Sequence, residues 1–198
     1  MQLVLASKSP RRRQLLAELG FPVKTVSFEV DEHVAPTLLP HEVAEHLAKR
    51  KAQAYPFASL GADEVLVTAD TVVVHGNDIL GKPADRADAI HMLHSLSGEV
   101  HTVYTGVCLR SAQREISFTE ATRVHFVSLS DDDILHYVDH YRPYDKAGAY
   151  GIQEWIGMVG VSHIEGCYYN VMGLPVSRLY QMLREYFPSI FTTPVSKS

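Results

Sequence analysis

Apolar positions along the chain fall into two rhythms. "QLVLAS" is a short continuous apolar run that predicts a buried strand. It passes directly into "PRRRQLLAELG", where Leu15, Leu16 and Leu19 recur at helical spacing. Ser9 and Pro10 suit the cap and first turn of that helix, and Gly20 suits its end. "VKTVSFEVDE" alternates like a strand and ends in acids. "LPHEVAEHLAKRKAQAY" reads as an amphipathic helix with Val43, Leu47 and Ala54 on its apolar side. The most hydrophobic strand region, "EVLVTADTVVVHGNDILGKP", is broken by a turn at Gly76, Asn77 and Asp78.

The second half continues with a helix, "ADRADAIHMLHSLSG", closed by Gly98. Two long strands follow, "HTVYTGVCLRS" and "ISFTEATRVHFVSL", joined by the polar turn "AQRE". "SDDDILHYVDHY" predicts a helix capped by Ser130, and "DKAGAYGIQ" a glycine-rich loop. A strand near "MVGVSHIEG", a last helix "LPVSRLYQMLREYF" and a frayed tail from residue 191 to 198 complete the chain. Strands and helices alternate and then strands cluster. That order predicts an α/β fold with a mixed twisted sheet, flanking helices and two lobes around a central cleft, one bilobed domain over residues 1–190.

Charge narrows the function. With 18 basic and 23 acidic residues the net charge is −5, which opposes a broad nucleic-acid surface but leaves room for a small basic pocket. Cys108 and Cys167 are too few for a disulfide framework and suit a reducing cytosol. The opening apolar run is too short for a secretory signal, and no run is long enough to span a bilayer, so a cytoplasmic protein is expected.

Against that background "ASKSPRRR" stands out. A strand feeding a helix N-terminus presents free backbone amides and a positive dipole end, and Ser7 and Ser9 add hydroxyls. Three arginines at that end oppose the dipole, a conflict a bound anion relieves. Because helical residues fan out by about 100° each, at most two of Arg11, Arg12 and Arg13 face one ligand; a solvated basic helix start is the plain alternative. Asp70 interrupts an apolar strand, where a carboxylate needs a partner, a metal or a strand end. Asp31 and Glu32 close a strand, Lys51 lies on the next helix, and Lys82 precedes a proline. Gly148 and Gly151 permit close backbone approach, and Gln153 carries the paired donor and acceptor that read a base edge. Neither the dinucleotide fingerprint nor the Walker pattern is present. His91 and His94 lack the company of a zinc site, and Asp131, Asp132 and Asp133 suit a helix start.

Taken in order, these segments resemble the Maf family of nucleotide pyrophosphatases. The resemblance rests on Ser7-Lys8-Ser9-Pro10-Arg11-Arg12, Glu32, Lys51, Ala69-Asp70-Thr71, Gly81-Lys82-Pro83, the run from Asp145 to Gln153, and the run from Asn170 to Pro175. It implies a fold like that of the inosine triphosphate pyrophosphatases, hydrolysis of a nucleoside triphosphate to monophosphate and pyrophosphate, help from Mg²⁺ or Mn²⁺, and a homodimer. Arg11, Thr71 and Gln153 are similar to the branch that prefers dTTP and UTP. In the roles so implied, Ser7, Ser9, Arg12, Lys51 and Lys82 bind the triphosphate, and Glu32 and Asp70 hold the metal. Asp70 either orients or deprotonates the attacking water, and Thr71 and Gln153 read the pyrimidine with Arg11 nearby. Two other functions share most of these residues. One is a broader house-cleaning pyrophosphatase for modified nucleotides; the other is a non-catalytic nucleotide-binding regulator of cell division, which has no need of Asp70.

Overall fold

A computed structural model describes residues 2–31, 33–34 and 38–192 of the chain. One mixed sheet carries the strands in the order β2-β1-β3-β5-β6-β7, with β4 paired to β3. The order begins with β1 (Gln2–Ala6), α1 (Pro10–Glu18) and β2 (Val23–Val26). β1 runs parallel to both β2 and β3 (Glu64–His75), and α1 and α2 (Pro40–Ala54) make the crossovers that parallel pairing requires. β4 (Asp78–Leu80) returns antiparallel on β3 through a turn at Gly76 and Asn77, where Gly76 takes the left-handed conformation with φ +59. α3 (Arg86–Leu96) leads to β5 (Val100–Arg110) and β6 (Glu115–Phe126). A tight turn joins these two strands, the Ser111 amide donating to the Arg114 carbonyl at 2.8 Å. α4 (Asp131–Tyr141), α5 (Trp155–Gly160), β7 (Val161–Glu165), α6 (Tyr168–Val171) and α7 (Val176–Tyr186) follow.

The chain forms two compact units. The first comprises Met1–Asp70, Thr105–Glu120 and Gly173–Ser198, the second Thr71–Tyr104 and Ala121–Met172. Three of the four crossings therefore fall inside β3, β5 and β6. In the first unit Val4, Ala6, Leu66 and Cys108 from the strands meet Ala48 and Ala52 of α2, with Tyr55 and Leu60 closing the cluster. α2 lies flush on β5 because position 106 is glycine. A Cβ there would stand 2.2 Å from the Glu45 amide nitrogen. The Thr68 hydroxyl donates to the Ala48 carbonyl at 2.7 Å, satisfying a polar group that the strand buries completely. In the second unit Leu93, Leu96, Ile134, Tyr137, Val138 and Ile156 from the helices pack with Val103, Val124 and Phe126 from the strands. Fully burying each such side chain stabilises the fold by about 1.5–3 kcal/mol.

Four expectations shift. The alternating stretch after Pro22 is a strand only over Val23–Val26. Past that point the described residues 27–31, although alternating, join no strand ladder. The buried stripe of α2 runs through Val43, Ala44, Leu47, Ala48 and Ala52, and Ala54 is exposed. Met158 and Val159 belong to α5, so β7 begins only at Val161. Phe191 and Thr192 lie in a 3-10 turn, and Phe191 packs edge-on against Phe21 with ring centroids 5.4 Å apart. Residues 193–198 of the expected tail lie outside the described residues. Among the described residues no helix is long and apolar enough to cross a membrane.

Candidate active site

Within the first unit the sequence-expected residues gather at the end of β1 and midway along β3, whose span Glu64–His75 continues past Asp70. β1 stops at Ala6 and the chain turns through Ser7–Ser9 into α1. The Ser9 hydroxyl accepts from the Arg12 amide at 3.4 Å as the N-cap, and the Ser7 hydroxyl accepts from the Ser9 amide at 3.1 Å. Each hydroxyl thus organises the loop as an acceptor, while its own O–H is a donor by chemistry. Lys8 is exposed and paired with Glu29, and Arg13 is exposed.

Arg12 reaches further than its place on the helix suggests. Its Nε donates to the Gly173 carbonyl at 2.8 Å and its Nη1 to the Ala69 carbonyl at 2.7 Å. It therefore grips the peptide immediately before Asp70. Asp70 pairs through Oδ1 with the Lys51 ammonium, and the side chains of the two are 15% and 16% exposed. The carboxylate that interrupts an apolar strand accordingly has a partner on α2, yet neither group is sealed from water. Arg11 is half-buried on the first turn of α1.

Glu32 lies outside the described residues. Its neighbours are tied to α2: Asp31 pairs with Arg50 at 3.0 Å, and the His33 carbonyl also accepts from Arg50. The His33 amide donates to Asp31 at 3.0 Å, and that bond, ahead of Arg50, holds the Asp31 carboxyl below its ordinary range. Arg50 was not singled out from the sequence. Its place beside Lys51 was the available signal.

The second unit carries Thr71, Lys82 and Gln153. Thr71 is half-buried and Lys82 is exposed. The Gly81 carbonyl accepts from the Gly148 amide at 3.0 Å, which joins the Gly-Lys-Pro segment to the late glycine loop. Gly148 has φ +68, which favours glycine, and a Cβ there would press on the Val73 side chain at 3.1 Å.

Gln153 is half-buried at the end of this loop, above a network that sequence reading missed. Lys146, buried, sits between Asp145 at 2.7 Å and Glu154 at 3.1 Å. The other Glu154 oxygen accepts from the Tyr137 hydroxyl, which itself accepts from the Gly151 amide at 3.0 Å. Burial, reinforced by Glu154, pushes the Tyr137 hydroxyl far above its ordinary range, so it stays a donor. A Cβ at Gly151 would stand 2.9 Å from Gln153 Nε2 and 3.0 Å from both Glu154 and Lys146. Lysine and glutamate flanking a glycine loop was the signal for this network. Asn170 serves the framework: its Nδ2 donates to the Val103 carbonyl at 3.0 Å and the Thr122 hydroxyl at 2.9 Å.

The chain is similar to known proteins over most of its length. A family model described as Maf-like protein matches residues 2–186. The dTTP/UTP pyrophosphatase of Bacteroides fragilis is 50% identical over 186 residues, 93% of this chain and 95% of that protein. The dTTP/UTP pyrophosphatase of Parabacteroides distasonis is 46% identical over 93% of this chain and 96% of its own length. Among solved structures, the Ham1 protein of Staphylococcus aureus superposes with a TM-score of 0.52 at 15% identity, covering 93% of this chain and 99% of that one. At that identity the match speaks to the fold.

Proposed function

The chain belongs to the Maf family, and from that premise we propose that it hydrolyses nucleoside triphosphates, dTTP and UTP foremost, to the monophosphate and pyrophosphate. The observation that carries this reading is the 50% identity, over nearly the full length, with a protein named for that activity. The geometry supports it in kind. Hydrolysis between the α and β phosphates needs a positioned water, neutralised phosphate oxygens and a stabilised leaving pyrophosphate, and positioning with electrostatics supplies most of such catalysis.

Asp70 orients the attacking water. Arg12 fixes the backbone that carries this carboxylate, and Lys51 holds one of its oxygens in place. As water adds to the α-phosphorus its proton passes to the Asp70 carboxylate, and the bridging oxygen leaves with the pyrophosphate. Lys51, Lys82, Arg12 and the hydroxyls of Ser7 and Ser9 balance the negative charge of the triphosphate. A hard divalent cation, Mg²⁺ or Mn²⁺, fits the donor chemistry at Asp70, a half-buried carboxylate open to water, and Glu32 with Asp70 would hold it. Bound there, such an ion supplies charge neutralisation and a more acidic water. Thr71 and Gln153, with Arg11, read the pyrimidine.

Pyrophosphate release measured across dTTP, UTP, dCTP, CTP and the purine triphosphates, with Mg²⁺ or Mn²⁺, tests the proposal. The expected profile favours dTTP and UTP by at least about tenfold, the scale of a few well-made base contacts. Release of orthophosphate instead, or no turnover of any triphosphate, overturns it.

A further inference from the structure

In the second unit, β6 and β7 bring three metal-binding side chains together on one face. The antiparallel register sets His125 opposite His163 and Arg123 opposite Glu165, and residues two apart on a strand share a face. Val124 and Ile164, paired on the reverse face, join the apolar core and fix which way the quartet points. The donor atoms of His125, His163 and Glu165 lie within 4.8 Å of one another. The centre of a triangle that wide is about 2.8 Å from each corner, so less than about 1 Å of inward rotation reaches zinc–ligand distances. His163 and Glu165 are exposed on the edge strand and can make that movement towards the half-buried His125.

We infer that His125, His163 and Glu165 form a second cation site, for a divalent transition ion of the zinc class. Two imidazoles and a carboxylate favour such an ion over magnesium, which prefers oxygen. The His125 and Glu165 side chains already meet at 2.7 Å. Arg123 donates to both Glu165 oxygens, at 2.9 Å to the one away from His125 and at 3.2 Å to the one that meets it. In the metal-bound form it gives up the longer bond and keeps the shorter as the outer partner that orients the ligand. The arginine's charge lowers affinity without removing a ligand. β7 ends the sheet order, so water has access to the fourth position. An ion shared between His125 of β6 and the two β7 ligands clasps the edge strand to its neighbour. The site uses none of the residues assigned to hydrolysis.

Zinc titration of the full chain by calorimetry, in millimolar Mg²⁺ to occupy the oxygen-rich site, tests the assignment. It is paired with histidine side-chain NMR and thermal unfolding. One equivalent of zinc is expected to bind, shift the ring resonances of His125 and His163, and raise the Tm. His163→Ala and Glu165→Gln should each weaken that event at least tenfold while Mg²⁺-supported pyrophosphate release stays unchanged. No zinc binding by the parent chain, or equal binding by both variants, overturns the site and leaves an ion-paired edge. Failure of hydrolysis in all three chains would count against the proposed function and not against the zinc site.

Discussion

Two lysine–carboxylate sites in this molecule differ in kind. Lys51 and Asp70, in the first unit, form a pair whose side chains are 16% and 15% exposed, with Arg12 holding the peptide before the aspartate. Lys146, in the second unit, is 8% exposed and lies between two carboxylates, one of which also receives the Tyr137 hydroxyl. In the second site the charges are consumed by their mutual contacts and the loop backbone is tied into them. In the first, one carboxylate meets one ammonium, both partly exposed, on a strand held from the side. In the second, Asp145 and Glu154 are more exposed still and it is the lysine that is buried. A network tied to its own loop fixes a shape, whereas a simple pair can exchange partners when a polyanion arrives.

The largest effect should come from separating these roles. Asp70→Asn keeps the side-chain volume and removes the charge that orients water, so kcat should fall by about a thousandfold. The urea midpoint should move little, because the asparagine oxygen still accepts from Lys51. Lys146→Met should do the reverse. Removing the buried cation from between two partly exposed carboxylates costs about 2 kcal/mol, read as a lower urea midpoint, with folded enzyme keeping kcat for dTTP within severalfold. If Asp70→Asn unfolds the protein, or Lys146→Met abolishes turnover without loss of stability, the contrast between the sites is wrong.

Much of this was legible beforehand because it rests on local rules. Ser9 and Pro10 announce a helix start, and the structure caps α1 there. Asp70 in an apolar strand demands a partner, and Lys51 is that partner. What was not legible depends on contacts between segments distant in the chain. Arg12 reads as a cation for phosphate; that it also holds two carbonyls follows from where β3 and Gly173 come to lie. Tyr137 falls within the helix that "SDDDILHYVDHY" predicts, and only the folded loop brings Gly151 and Glu154 to its hydroxyl. The false strand after Val26 shows the same limit, since alternation describes a face and cannot supply a neighbour.

The next largest effect tests what the closed network supports. If the loop from Lys146 to Glu154 exists to present Gln153, then Gln153→Ala should compress the ratio of kcat/KM between dTTP and dATP by roughly a hundredfold, since a site that hydrogen-bonds one base edge discriminates through unpaired groups. The loss should fall mainly on the pyrimidine. Gly151→Ala should lower the same ratio in part, because its Cβ would stand 2.9 Å from the glutamine amide. An unchanged substrate profile in both variants would detach the network from base recognition and leave it a purely structural knot.

The smallest effect concerns the second unit's core, which buries an imidazole. His101 is 1% exposed, its Nε2 is 2.7 Å from the Tyr150 hydroxyl, and burial lowers its pKa from 6.5 to about 3. Between those values the unfolded chain holds a proton there and the folded chain does not. Stability from this group is therefore intact above pH 6.5 and declines by about 1.4 kcal/mol per pH unit as acid is added, down to the folded value. From pH 6.5 to 5 ordinary carboxylates remain ionised, and the other histidines are the same in parent and variant, so the part of the urea-midpoint slope that His101→Gln removes reports His101. The substitution should make the slope shallower, and kcat for dTTP at pH 7 should stay within severalfold, because a glutamine amide can still bond the Tyr150 hydroxyl. A slope that survives the substitution would mean that the acid sensitivity of the fold arises elsewhere, and would remove the imidazole from the list of differences between the two units.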